Sequence, residues 1–204
     1  MSVCYIFGAL ETKELPYMPS AEDYIIAADR GLNNLRKIGI EPDIIIGDFD
    51  SLGFIPNDKN IKRLPIEKDD TDVGFAVNYA FDLGFNEFII YGAIGGLLDH
   101  TVANLQLVSC ISKRGGKAVF VGESVFVTAI TNSTLKIADG KGRISVFSYG
   151  EKACGVSISG LKYTLSDAKI TNDFPIGVSN EFKEKEAVIS VKNGTLLIIS
   201  NSKI

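Results

Sequence analysis

Residues 41–51 read EPDIIIGDFDS, and the reading of this stretch decides the fold class. Ile44, Ile45 and Ile46 make an unbroken apolar run, which suits a strand covered on both faces, as in a parallel sheet. Gly47 ends the run. Two carboxylates, Asp48 and Asp50, then stand one residue apart. Like charges that close repel unless a cation or fixed donors compensate them. The alternative is a local Asx-turn in which a side chain bonds its own loop.

On both sides of this stretch, short apolar strands alternate with helices. SVCYIFG, YIIAAD, EFIIYGA and KAVFVG read as strands. GLNNLRKIG has helical spacing at Leu32, Leu35 and Ile38 and stops at Gly39. TDVGFAVNYAFDLG carries Val73, Ala76, Val77 and Ala80 on one side and stops at Gly84. DHTVANLQLVSCISKRGG is the longest helix, closed by Gly115 and Gly116. This alternation implies an α/β domain over residues 1–123 with a mostly parallel, Rossmann-like sheet. From there the texture changes. SVFVTAI, STLKIA, RISVFSYG, GVSISG, AVISVKNG and TLLIIS are short, β-branched and separated by Gly, Asn, Asp and Ser. They imply an all-β domain over 124–204, a sandwich or barrel. The KNGT at 192–195 reads as a hairpin turn with two positive φ angles.

The net charge of -4 and a pI near 5.1 argue against a nucleic-acid binder. Cys4, Cys110 and Cys154 show neither zinc nor disulfide spacing and read as reduced thiols in or near the core. The start of the chain lacks the basic region of a signal peptide, and no apolar run approaches the ~18 residues of a membrane span. The expectation is a soluble, cytoplasmic protein with no membrane partner.

Four polar clusters follow the strands of the first domain: Asp29–Arg30, Asp48–Asp50, KDDTD at 68–72, and Asp99–His100 after the glycines of GAIGG. Open α/β sheets bind ligands beyond the carboxyl ends of their strands, so these clusters are expected to converge. Each has a simpler reading. Asp29, Asp70, Thr71 and Asp99 are all residues that cap helices. His100 suits a structural or solvated role, and Gly92, Gly95 and Gly96 a plain turn. Capping does not account for the surplus of seven acids, Asp29, Asp48, Asp50, Asp69, Asp70, Asp72 and Asp99. Hard oxygen donors without Cys point to Mg²⁺ shared with substrate phosphates, and Arg30 and Lys68 suit phosphate oxygens. The chemistry suggested is phosphoryl or nucleotidyl transfer. GxxxxGK[ST] does not occur, so this is not a P-loop enzyme.

ADRG, GDFDS, KDDTD, GAIGGLLDHTVANLQLV and GVSNEF, in this order, resemble bacterial thiamine pyrophosphokinase over nearly the whole chain. The resemblance implies transfer of pyrophosphate from ATP to the hydroxyl of thiamine, giving thiamine diphosphate and AMP. It implies a Mg²⁺ site of Asp48, Asp50 and Asp72, catalytic together with Asp99. It implies ATP contacts from Asp29, Arg30, Lys68, Asp69 and Thr71. It also implies thiamine contacts from Ser179 and Asn180 in a thiamine-binding, dimerising second domain of a homodimer. The family reads GGRxDH where this chain has Leu97. A leucine there suits either a site in which Arg30 or Lys68 takes over or simple packing below the site. The chain has no tryptophan, so a Tyr or Phe is left to stack on thiamine. Two other readings remain. DFD is also the DxD of Mg-dependent nucleotidyl- or glycosyltransferases, and Leu97 is compatible with a non-catalytic nucleotide-binding regulator.

Overall fold

The structure, a computed structural model, describes residues 2–50, 53–55, 60–65, 67, 69–138 and 140–204. The chain forms two compact units, Met1–Asn104 with Phe120–Glu123, and Leu105–Val119 with Ser124–Ile204. The second unit therefore takes in the later part of the long helix, which the sequence reading assigned to the first domain.

In the first unit, β1 (Cys4–Phe7), β2 (Tyr24–Ala28), β3 (Ile44–Gly47), β4 (Ile61–Arg63) and β5 (Glu87–Tyr91) lie in the order β5-β1-β2-β3-β4. Every pairing among them is parallel. β1 and β3 are buried at all four positions, as their unbroken apolar runs require. The helices are α1 (Gly31–Ile38), α2 (Asp72–Asp82) and α3 (Leu98–Lys113). α2 buries Val73, Ala76, Val77 and Ala80, the face expected from its spacing. α1 buries Leu32 and Leu35 and ends at Gly39 in the left-handed region, but Ile38 is exposed rather than continuing that face. The Phe7 and Tyr91 rings stack at 5.2 Å beneath the carboxyl ends of β1 and β5.

After β6 (Lys117–Gly122) come β7 (Val125–Thr131), β8 (Thr134–Ala138), β9 (Arg143–Ser148), β10 (Ala153–Ser159), β11 (Leu165–Ile170), β12 (Asn180–Glu181), β13 (Glu186–Ser190) and β14 (Thr195–Ser200). They form two antiparallel groups, β12-β9-β14-β7 and β11-β10-β13-β8. One core lies between them. Ile144, Val146, Leu196 and Ile198 come from the first group, and Ile137, Val156, Ile158 and Ile189 from the second. Each fully buried side chain of this size contributes roughly 1.5–3 kcal/mol.

The KNGT stretch is not a hairpin. β13 pairs in one group and β14 in the other, so residues 191–194 cross from sheet to sheet. Gly194 takes a positive φ of 114°, whereas Asn193 makes an antiparallel bridge to Cys154. A two-residue primed turn needs both central residues at positive φ.

Among the described residues, no helix is long and apolar enough to cross a membrane. All three cysteines are free, but only Cys4 lies in the core; Cys154 is half-buried and Cys110 exposed. Burial, with a smaller push from Asp43, raises the Cys4 thiol to about 12. At neutral pH Cys4 stays protonated and inert. A thiol reagent added to native protein is expected to modify Cys110 and to reach Cys4 only after denaturation. Equal labelling of both in native conditions contradicts this packing.

Candidate active site

The parallel register places the carboxyl ends of the strands level. Phe7 pairs with both Ala27 and Tyr91, Ala28 with Ile46, and Gly47 with Arg63. The next residues are therefore neighbours along one edge: Gly8, Asp29, Asp48 and Gly92. Asp29 follows β2 directly, is 7% exposed and has a φ of 48°. Its N–H donates to Ile46 O at 2.8 Å. A Cβ on Gly47 would come within 3.1 Å of Asp29 Cα and Cβ, so the ends of β2 and β3 are in direct contact. Arg30, exposed, begins α1 without capping it through its side chain.

The GDFD turn has a specific build. Asp48 Oδ1 accepts the N–H of Asp50 at 3.1 Å, the Asx-turn anticipated as an alternative. Phe49 is buried at 3% with a φ of 65°. That conformation costs a bulky residue on the order of 1–3 kcal/mol. With Phe49 inward, the half-buried Asp48 and the exposed Asp50 flank it at the sheet edge.

In KDDTD, Lys68 lies outside the described residues and Asp69 is exposed. Asp70 is turned onto its own helix, accepting the Thr71 N–H at 2.8 Å. Thr71 is the N-cap of α2, its Oγ1 accepting the Gly74 N–H at 3.0 Å. Asp72 sits in the first turn of α2, where the helix dipole favours an anion. Asp99 also lies in the first turn of its helix, α3; it is exposed, and its Oδ1 accepts the His100 N–H at 2.8 Å. Leu97 is 66% exposed, which rules out the packing reading within its own unit.

Among the described residues, no group of three or more His, Cys, Asp or Glu is arranged to hold a metal. Asp48, Asp50 and Asp72 thus do not form a ready-made cage. The donor set is nevertheless all oxygen, and a small hard cation is commonly held by one or two carboxylates with waters and substrate phosphates.

In the second unit, Ser179 is exposed at a φ of 54°, its N–H donating to Ser145 Oγ at 3.0 Å. Asn180, expected as a ligand contact, is 4% exposed and fully engaged with backbone. Its Oδ1 accepts the Tyr163 N–H at 2.9 Å and its Nδ2 donates to Tyr163 O at 2.7 Å. Tyr163 is 63% exposed. Nothing local in SGLKYT marks this ring; only the long-range pairing with Asn180 reveals it.

Oxygen donors and helix N-termini at the carboxyl edge of a parallel sheet place the chain in the class of α/β folds that bind ligands at that edge, with helix starts suited to anions. The family model described as thiamin pyrophosphokinase, catalytic domain, matches residues 15–120, and that described as thiamin pyrophosphokinase, vitamin B1 binding domain, matches 133–196. The chain is 27% identical to thiamine pyrophosphokinase of Bacillus subtilis over 185 residues, covering 87% of this chain and 86% of that protein. It is 28% identical to thiamin pyrophosphokinase 1 of Caenorhabditis elegans over 200 residues, covering 87% and 78%. The crystal structure of the Bacillus subtilis thiamine pyrophosphokinase superposes over 100% of both chains with a TM-score of 0.85 at 23% identity. The chain belongs to the thiamin pyrophosphokinase family.

Thr71 and Asn180, whose side chains serve the backbone, should register as stability. Thr71→Ala should cost about 1 kcal/mol through the lost cap. Asn180→Ala should cost roughly 1–3 kcal/mol by leaving the buried partners of its amide unmet. Urea denaturation measures both, and an Asn180→Ala midpoint equal to wild type would remove the scaffolding role.

Proposed function

We propose that the protein transfers the pyrophosphoryl group of ATP to the hydroxyl of thiamine. The observation that carries the reading is the order of two family matches, catalytic then vitamin B1 binding, along one chain. In this reading the parallel sheet is a Rossmann-like frame for ATP, and the second unit a thiamine-binding sandwich. The functional boundary at 123/124 belongs to the same proposal, as does a cytoplasmic setting.

In the transfer, the thiamine hydroxyl oxygen bonds to the β-phosphorus and its proton passes to solvent. The bond from that phosphorus to the oxygen shared with the α-phosphorus breaks, and AMP leaves carrying that oxygen. Positioning and charge neutralisation supply most of the catalysis in such reactions. Asp48, Asp50 and Asp72 are the carboxylates we assign to Mg²⁺, which neutralises phosphate charge when bound. Arg30 and Lys68 are the cations we assign to phosphate oxygens, and Asp29, Asp69, Thr71 and Asp99 the residues we assign to the nucleotide region. For thiamine, we assign Ser179 and the Tyr163 ring, with Asn180 holding that ring in place. Nothing in the family matches favours the glycosyltransferase or regulator readings.

Incubation with ATP, Mg²⁺ and thiamine should yield thiamine diphosphate and AMP. Asp48→Asn and Asp50→Asn should fold and lose at least ~10²-fold in turnover, the scale of one lost electrostatic group. Tyr163→Ala should raise the thiamine KM and leave the ATP KM unchanged. ADP as product, or full activity in both Asp variants, defeats the assignment.

The protein works as a symmetric dimer in this proposal. The exposed apolar side chains Phe174, Ile176 and Val178 run up to Ser179. Gly177 O accepts the Val146 N–H at 3.0 Å, tying this segment to β9. A second copy related by a two-fold axis would cover such a row reciprocally. Light scattering should give twice the chain mass, and Ile176→Asp should weaken the dimer. A fully active monomer would overturn it.

A further inference from the structure

A chain of contacts in the first unit links α1 to the turn before α3 through two residues with no role so far. Asn34, buried in α1, donates from Nδ2 to Gly8 O at 2.9 Å and to Leu10 O at 2.7 Å. Asparagine is a poor helix former, and a buried helical position ordinarily favours leucine or alanine. Here its two amide hydrogens serve carbonyls just past the end of β1, in an irregular segment.

Leu10 carries the contact onward. Its N–H donates to Gly92 O at 3.0 Å. Its side chain lies against the next turn: a Cβ on Gly96 would come within 2.7 Å of Leu10 Cδ2, and one on Gly95 within 3.8 Å of Cδ1. Gly95 and Gly96 have φ angles of 107° and 64°. From the other side, Asn104 Nδ2 donates to Ala93 O at 2.7 Å, and Thr101 Oγ1 lies 2.9 Å from Gly95 O. The turn is thus gripped by α3 above and Leu10 below, and Leu10 is set by Asn34. Two adjacent glycines left alone would sample many conformations.

We infer that Asn34 and Leu10 are positioning residues that fix the Gly95–Gly96 turn, and through it Asp99 at the start of α3, relative to Asp29 and Arg30 at the start of α1. Neither residue is assigned a contact with ligand. For its kinetic consequence the inference rests on the pyrophosphokinase reading, in which both loops line the nucleotide; its structural consequence does not.

The test uses Leu10→Ala, Leu10→Met and Asn34→Ala in the full chain, with amide hydrogen exchange, melting temperature and steady-state kinetics. In Leu10→Ala, exchange over residues 92–98 should rise about tenfold while β2 and β3 keep wild-type protection. kcat/KM for ATP should fall about tenfold, since small misplacements at a reacting centre are costly, with the thiamine KM unchanged. Leu10→Met, which refills the space, should restore both. Asn34→Ala should reproduce the local exchange change; if it does not fold, Leu10→Ala decides alone. Unchanged exchange over 92–98, an equal rise throughout the unit, or a kinetic loss that methionine does not rescue would overturn the inference. If wild type makes no AMP from ATP and thiamine, the proposed function falls, while the exchange measurement still decides the clamp.

Discussion

The contact between the level ends of parallel strands is what the rest of the site depends on. A Cβ on Gly8 would lie 2.7 Å from Gly92 O, and one on Gly47 3.1 Å from Asp29. At Gly8 a side chain would run into backbone, and at Gly47 it would fit only if Asp29 gave way slightly. The hydrogen bonds from Gly8 N–H to Tyr91 O and from Asp29 N–H to Ile46 O close the row. β3 is covered on both faces, so a slip of one residue would draw Asp43 or Asp48 from the ends of the strand into the buried run, at the cost of burying a carboxylate. The length of the Ile44–Ile46 run therefore fixes where Asp48 and Asp50 emerge.

Within that row the acids divide their work. Asp70 and Asp99 each accept the N–H of the following residue, and Asp48 accepts that of Asp50. These bonds shape the loops that carry them and stabilise helix starts. A carboxylate that accepts one N–H keeps acceptor capacity for a cation, but three such charges brought together without a cation would repel. Loops that hold themselves suit a cation that arrives already shared with phosphates, as proposed for ATP.

The parts of the fold set by local pattern were legible in the sequence. The unbroken run of β3, the buried face of α2 and the left-handed end of α1 at Gly39 each depend on residues a few positions apart. What escaped depends on distant partners. β11 is polar at half of its positions and is a strand because β10 pairs with it, through an irregular register. The turn at 192–195 has hairpin composition, yet Cys154 captures Asn193 and the chain changes sheets. Leu97, for which packing below the site was one of two readings, is exposed, while the turn before α3 is held by Thr101 and Leu10.

Asn180 shows the same principle at the second site, with a consequence for how motifs are read. A polar residue in a ligand-binding motif invites a ligand contact. Here the amide has both of its polar atoms on the backbone of Tyr163, in a position closed to water. To reach a ligand it would have to abandon two backbone groups, at roughly the price of two unmet hydrogen bonds. What the motif presents instead is the ring it holds, an exposed aromatic face suited to a flat heterocycle. Ser179, next to it, has its N–H tied to Ser145 while its side chain stays exposed. The two adjacent residues therefore divide into one that scaffolds and one that faces outward. If Tyr163 meets thiamine as proposed, a substitution at Asn180 would act on binding by way of that ring, so a loss of affinity there is not by itself evidence of contact.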